Sequence, residues 1–116
     1  MHNVDKNTIL SIDLKAIGKN YKAIKKIVGN KNIVAASVKA DAYGLGVKKV
    51  SQVLIKNGCN HFFVATTDEA IELRKTNKII SIFILNGLVT KDLSLIQEYK
   101  LIPVINSLRQ LKKIEL

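Results

Sequence analysis

The sequence predicts an α/β fold built on a parallel sheet, and three observations carry that expectation. Apolar periodicity switches repeatedly between short β-branched runs and longer stretches with apolar residues three or four apart. One run, Ile33 to Val38, shows no polar alternation, as expected of a parallel strand covered on both faces. A hydrophobic fraction of 47% with a mean hydropathy of +0.14 is enough for a packed core. Strands alternating with helices imply right-handed crossovers and leave two architectures, an open doubly wound sheet or a (β/α)8 barrel. A whole barrel takes about 250 residues, and these 116 residues supply four βα units after the first strand, about half of one. The glycine fingerprints of nucleotide-binding open sheets, G-x-G-x-x-G and G-x-x-x-x-G-K-[ST], are absent.

Taken in order, Thr8 to Leu14 reads as a first strand. Leu14, Ile17, Tyr21, Ile24 and Val28 then recur at helical spacing until Gly29 closes the helix. Ile33 to Val38 is the next strand. After a glycine-bearing turn, Val47, Val50, Val53 and Leu54 mark a helix that stops at Asn57-Gly58. Phe62 to Ala65 is a strand, and Thr66 with Glu69 three residues on forms a capping box for a helix carrying Ala70, Ile71 and Leu73. Ile80 to Leu85 is a strand turned by Asn86-Gly87, and Thr90 is the expected cap of a helix through Leu93 and Ile96 to about Lys100. Leu101 to Ile105 reads as a strand whose Pro103 removes one ladder hydrogen bond. Ser107 and Gln110 form a second capping box, opening a helix that runs to Leu116.

Composition excludes several functions. The longest apolar runs fall far short of the roughly 18 residues of a membrane span, and Met1 to Lys6 lacks the pattern of a secretory leader, so a soluble cytoplasmic protein without a membrane partner is expected. The single cysteine, Cys59, has no disulfide partner or second sulfur for a metal, and is expected as a buried thiol. A net charge of +10 invites a nucleic-acid reading. The basic residues are lysines apart from Arg74 and Arg109, and aromatics make up only 5%, which gives neither the usual base-reading side chain nor a stacking platform. No nucleic-acid partner is expected, and no metal.

The chemically informative segment is Val38-Lys39-Ala40-Asp41-Ala42-Tyr43-Gly44-Leu45-Gly46, just past the C-terminal end of an apolar strand. A lysine there stands at the mouth of the sheet, where desolvation favours its neutral, nucleophilic form. Tyr43 offers a hydroxyl beside closely approaching backbone amides, a combination suited to an anionic oxygen such as a phosphate. A lysine snorkelling to water beside a tyrosine-stapled turn fits the spacing equally.

The same segment resembles the pyridoxal-phosphate lysine motif of bacterial alanine racemases. Asp13-Leu14-Lys15-Ala16-Ile17 with Asn20 looks like that family's opening segment. Val64 to Arg74 is similar to its V-A-x-x-x-E-A-x-x-L-R stretch, and Ile82 to Gly87 resembles its following strand and turn. Leu45 departs from the histidine often found between the two glycines, although some relatives carry leucine there.

The resemblance implies a partial (β/α)8 TIM-type barrel, with residues 1–116 forming its N-terminal part and a C-terminal β domain absent. It implies pyridoxal 5′-phosphate linked as an internal aldimine to Lys39, its phosphate hydrogen-bonded by Tyr43 and its ring touched by Leu85. The implied activity is interconversion of L- and D-alanine for peptidoglycan precursors, with Lys39 as acid/base on one face of the substrate. The second base is a tyrosine from the partner subunit of a homodimer, outside this sequence, so the chain alone is expected to be inactive unless a complementing fragment completes it. The other readings are a non-catalytic remnant or cofactor-binding half-barrel, and another amino-acid racemase or decarboxylase of the same barrel class. Tyr21, Tyr99, His2 and His61 read as structural or solvent residues, and Asp68-Glu69 as first-turn acids that complement the helix dipole.

Overall fold

The computed structural model describes residues 7–114. The leader reading of Met1 to Lys6, the terminal His2 and the last two residues of the final expected helix lie outside that range. Four strands, β1 (Ala36–Ser37), β2 (His61–Val64), β3 (Ser81–Ile84) and β4 (Ile102–Pro103), pair in parallel in the order β1-β2-β3-β4. Phe62 stands opposite Ala36 on one side and Ile82 on the other, and Phe83 opposite Ile102. Sequential order without reversal is the order of a barrel, whereas a doubly wound sheet reverses at a switch point.

The strands are buried on one face. Phe62, Val64, Ile82 and Ile84 are sealed into a cluster with Val50 and Leu54 of α3 (Val47–Lys56), Ala70 and Leu73 of α4 (Thr67–Thr76) and Ile96 of α5 (Leu93–Glu98). The alternate residues His61, Phe63, Ser81 and Phe83 remain half-buried on the opposite face, which is the interior side of a barrel. Phe63 and Phe83 stack there, 4.7 Å between centroids.

Thr8 to Asp13 does not form the expected strand: it pairs with nothing, and Ile9 and Leu10 are exposed. The chain enters α1 (Leu14–Val28) at once, because the Asp13 carboxylate accepts from Ala16 N–H and caps that helix. Gly18 lets α1 meet the end of α3 closely, since a Cβ there would lie 2.6 Å from the Asn57 amide nitrogen. The run Ile33 to Val38 contributes only Ala36–Ser37 to the sheet, with Ile33 70% exposed. As an edge strand with an open inner face it is not covered on both sides. Thr90 opens a 3-10 turn, Thr90–Asp92, instead of capping α5. Its hydroxyl meets Lys113 of α6 (Leu108–Ile114).

At both expected caps the N-cap bond forms, Thr66 accepting from Glu69 N–H and Ser107 from Gln110 N–H. The return bond falls one residue earlier than in a capping box, from Ala65 N–H to Glu69 and from Asn106 N–H to Gln110. Tyr21 is buried with its hydroxyl donating to the Val34 carbonyl, and Cys59 is a fully buried free thiol. Arg74, in the last turn of α4, donates to the carbonyls of Tyr99, Lys100, Ile80 and Asn77, latching α4 to the end of α5 and the start of β3. Burial lowers its guanidinium pKa from the ordinary value.

Candidate functional site

The C-terminal ends of β1, β2 and β3 lie side by side, and the candidate residues gather there. Beyond Ser37 the ladder makes one more bond, Val38 N–H to the Phe63 carbonyl at 2.9 Å. Lys39 then opens α2 (Lys39–Tyr43), a short helical turn of the wrong hand. Ala40, Asp41 and Ala42 have φ of 51 to 55° and ψ of 45 to 51°, Tyr43 has φ 55°, and Gly44 follows at φ 82°. L-residues in a left-handed helix cost roughly 1–2 kcal/mol each, so a run of four stores several kcal/mol. Strain of this kind persists only where surrounding bonds over-determine it, and it clusters at functional sites.

The restraining bonds are specific. Gly44 N–H donates to Ala40 and Ala42 N–H to Val38, both at 2.9 Å. The Asp41 carboxylate accepts from Val47 N–H at 2.8 Å, tying the turn to the first residue of α3. The Glu69 carboxylate accepts from Ala40 N–H at 2.8 Å through one oxygen and from Ala65 N–H at 2.6 Å through the other.

The turn brings Lys39 and Tyr43 together. Lys39 Nζ lies 5.9 Å from the Tyr43 ring centroid, and the Tyr43 hydroxyl is within 3.4 Å of Ser37 Oγ. Ser37 is in register with Phe63, which pairs with Phe83, so amine and hydroxyls belong to the open face. Tyr43 is 63% exposed and Lys39 only half-buried. The desolvation expected at the sheet mouth is therefore partial, because the edge strand has no neighbour on its outer side. Leu85 continues β3 by one residue, its N–H donating to the Val64 carbonyl at 2.8 Å, and is half-buried at the same end.

The remaining candidates do not join them. His61 stacks at 6.3 Å on Phe83 at the start of β2, Tyr99 ends α5, and Tyr21 is committed to Val34. A cleft of about 300 Å3 beside Thr66 to Asp68 and Asn86 to Asp92 excludes Lys39 and Tyr43, and its Asp92 carboxylate is taken by Thr67 Oγ1 at 2.9 Å. Among the described residues no three His, Cys, Asp or Glu side chains converge on a metal position.

Sequence reasoning missed two residues of this end. Asp41 was readable in principle, as an acid a few residues before a helix start. Glu69 was read as a cap, and its reach to Ala40, 29 residues away, has no sequence signal without the β1–β2 register.

The family model for the alanine racemase N-terminal domain matches residues 12–116. The chain belongs to that family. Its curated relatives include alanine racemases of Rickettsia prowazekii, 44% identical over 104 residues, and Rickettsia typhi, 42% identical over 104 residues, each match covering 89% of this chain and 26% of the relative. Among solved structures, alanine racemase from Bartonella henselae with covalently bound pyridoxal phosphate superposes with a TM-score of 0.82 at 35% identity, covering 87% of this chain and 28% of that one. Alanine racemase from Bacillus anthracis with bound L-Ala-P gives a TM-score of 0.74 at 29% identity over 78% of this chain and 23% of its own. The chain thus spans about a quarter of the length of the relatives it matches. Four parallel strands in sequential order, superposing on alanine racemase structures, make a partial (β/α)8 barrel.

Proposed function

We propose that this chain forms the N-terminal part, residues 1–116, of the barrel domain of a cytoplasmic alanine racemase that interconverts L- and D-alanine for cell-wall precursors. The observation that carries the reading is the placement of Lys39 and Tyr43 on one open face by a strained, multiply restrained turn. A solved relative with covalently bound pyridoxal phosphate supports it.

The residues present fit that cofactor. A half-exposed primary amine at the strand end suits an aldehyde, with loss of one water on attachment. The Tyr43 hydroxyl, beside Ser37 Oγ, suits a phosphate oxygen, and Leu85 offers apolar contact at the neighbouring strand end. When bound, the cofactor supplies the electron sink that makes the Cα proton of an amino acid removable. Lys39 Nζ, released when the substrate amine takes its place, holds or returns the proton on one face of Cα. The turn fixes the Lys39 backbone on both sides, so the amine works from a rigid base. Inversion also needs a proton on the opposite face. In this reading that group is a tyrosine of a C-terminal β domain, brought by the partner subunit of a homodimer or by a complementing chain.

Borohydride reduction of the chain with pyridoxal phosphate, followed by peptide mapping, tests the proposal. Label concentrated on Lys39 is expected. Label spread over many lysines overturns it.

A further inference from the structure

We infer that Glu69 is a positioning residue for Lys39, which deepens the proposed function and rests on the role given to Lys39 there. The β1–β2 ladder ends with the bond from Val38 N–H to the Phe63 carbonyl. Past that point β1 runs into its left-handed turn, the Val38 carbonyl accepts from Ala42 N–H within that turn, and the Ala65 carbonyl accepts from Asn86 N–H on the β3 side. The Glu69 carboxylate joins the two segments here. One oxygen takes Ala40 N–H, the first amide after Lys39, and the other takes Ala65 N–H, the first amide after β2. The ladder is in effect extended one step by a side chain.

The carboxylate is itself well placed. Glu69 stands in the third position of α4, where its own N–H is held by Thr66 Oγ1 and the helix dipole favours negative charge. Bonds from an anion to N–H groups are roughly twice as strong as neutral ones. They pull on the residue where the strain begins, since Ala40 is the first of the positive-φ run. Val38 N–H on one side of Lys39 and Ala40 N–H on the other are thereby anchored to consecutive parts of the β2–α4 connection. Lys39 is left with its side-chain torsions as its freedom, and the direction of its Cα–Cβ bond is fixed by Glu69. A helix cap alone requires none of this, because a capping glutamate serves the helix it stands in.

The 116-residue chain carrying Glu69→Gln or Glu69→Ala tests the inference, with Glu72→Ala as control. Glu72 is exposed and pairs with Lys75 three residues on in the same helix at 2.6 Å; it borders the cleft beside Val38 and Asp41 but makes no hydrogen bond to the turn. Two readouts are taken. Amide hydrogen exchange at Ala42 and Gly44, without cofactor, reports the turn. The share of borohydride-trapped pyridoxal phosphate found on Lys39, against the other lysines, reports the positioning.

For Glu69→Ala the turn amides are expected to exchange faster, with α1 amides unchanged, and Lys39 selectivity to fall about ten-fold, the size expected for a lost charge-assisted bond. Glu69→Gln, which keeps one acceptor oxygen, is expected to fall between, and Glu72→Ala to match wild type. Unchanged exchange at Ala42 and Gly44 overturns the clamp. Loosened exchange with unchanged Lys39 selectivity overturns the positioning role and leaves a purely structural one. Should Glu69→Ala fail to fold, Glu69→Gln decides by the same criteria. Absence of Lys39 labelling in the wild-type chain overturns the proposed function instead, and the exchange readout still decides whether Glu69 holds the turn.

Discussion

Cys59 and Tyr21 show how much a single buried group can bias the fold. The thiol is sealed between α3 and β2, donating weakly to the His61 carbonyl at 3.4 Å, and burial pushes its pKa above the ordinary value. Burial first, and the neighbouring Cys59 second, push the Tyr21 phenol up as well. For both acids the folded state favours the protonated form more than the unfolded state does. The resulting stability is present below the unfolded pKa values, ordinarily 9.0 and 10.0, and is lost as pH rises through the higher folded values. The urea midpoint is therefore expected to fall between about pH 8 and pH 10.5, and less steeply in Cys59→Ala. Comparing the two chains removes the effect of lysines losing charge over the same interval. Equal slopes would show that folding does not raise the thiol's pKa.

At the scale of elements the left-handed turn gives the sharpest expectation. Glycine adopts φ near +50° without steric cost, whereas alanine does not. Ala40 sits at φ 51° and ψ 51° and is exposed, so no packing is lost on trimming it. Ala40→Gly is expected to stabilise the chain by about 0.5–1 kcal/mol, the relieved strain less the entropy glycine adds to the unfolded state. A urea titration checks this, and a loss of stability would mean that the turn is not strained. The turn also shows where sequence reading ends. The βα alternation, the Gly29 stop, the Thr66 and Ser107 caps and the position of Lys39 and Tyr43 past a strand's C-terminal end were legible, because each depends on near neighbours in sequence or on strand polarity. Leu85 was singled out only by the family resemblance. The hand of the turn was not legible, since the two alanines and the tyrosine of Ala-Asp-Ala-Tyr disfavour the left-handed region, and the bonds that hold them there include ones to Val47 and Glu69, outside the motif. The strand expected over Thr8 to Leu14 failed for a related reason. Its apolar alternation is genuine, but a strand exists only if a partner is beside it, and Asp13 had a helix to cap. The four carbonyl bonds of Arg74 were equally invisible, although the residue itself stood in the family-like stretch.

The whole molecule is an open slab. Its radius of gyration is 17.0 Å over extents of 57 × 45 × 24 Å, against about 13 Å for a compact domain of this length. Phe63, Phe83 and Lys39 face outward from the sheet where a closed barrel has an opposing layer, and Ile102 and Ile33 mark its two exposed edge regions. Unpaired edges and an uncovered apolar face favour association. Sedimentation is expected to show self-association at micromolar concentration, or a defined complex when the remaining barrel strands of a relative are supplied as a separate chain. A stable monomer with cooperative unfolding would mean that the open face is closed in a way the strand order does not provide.

The strand order also bears on how the chain comes to be folded. Ala36 waits only for Phe62, Phe62 for Ile82 and Phe83 for Ile102, so each strand finds its neighbour one βα unit later and none depends on a distant segment. A nascent chain leaving the ribosome can thus add strands to its growing sheet in the order they are made, each crossover docking before the next strand emerges. Lys39 stands two residues past the first of these strands, so its setting is assembled early, once β2 and the start of α4 have followed it out.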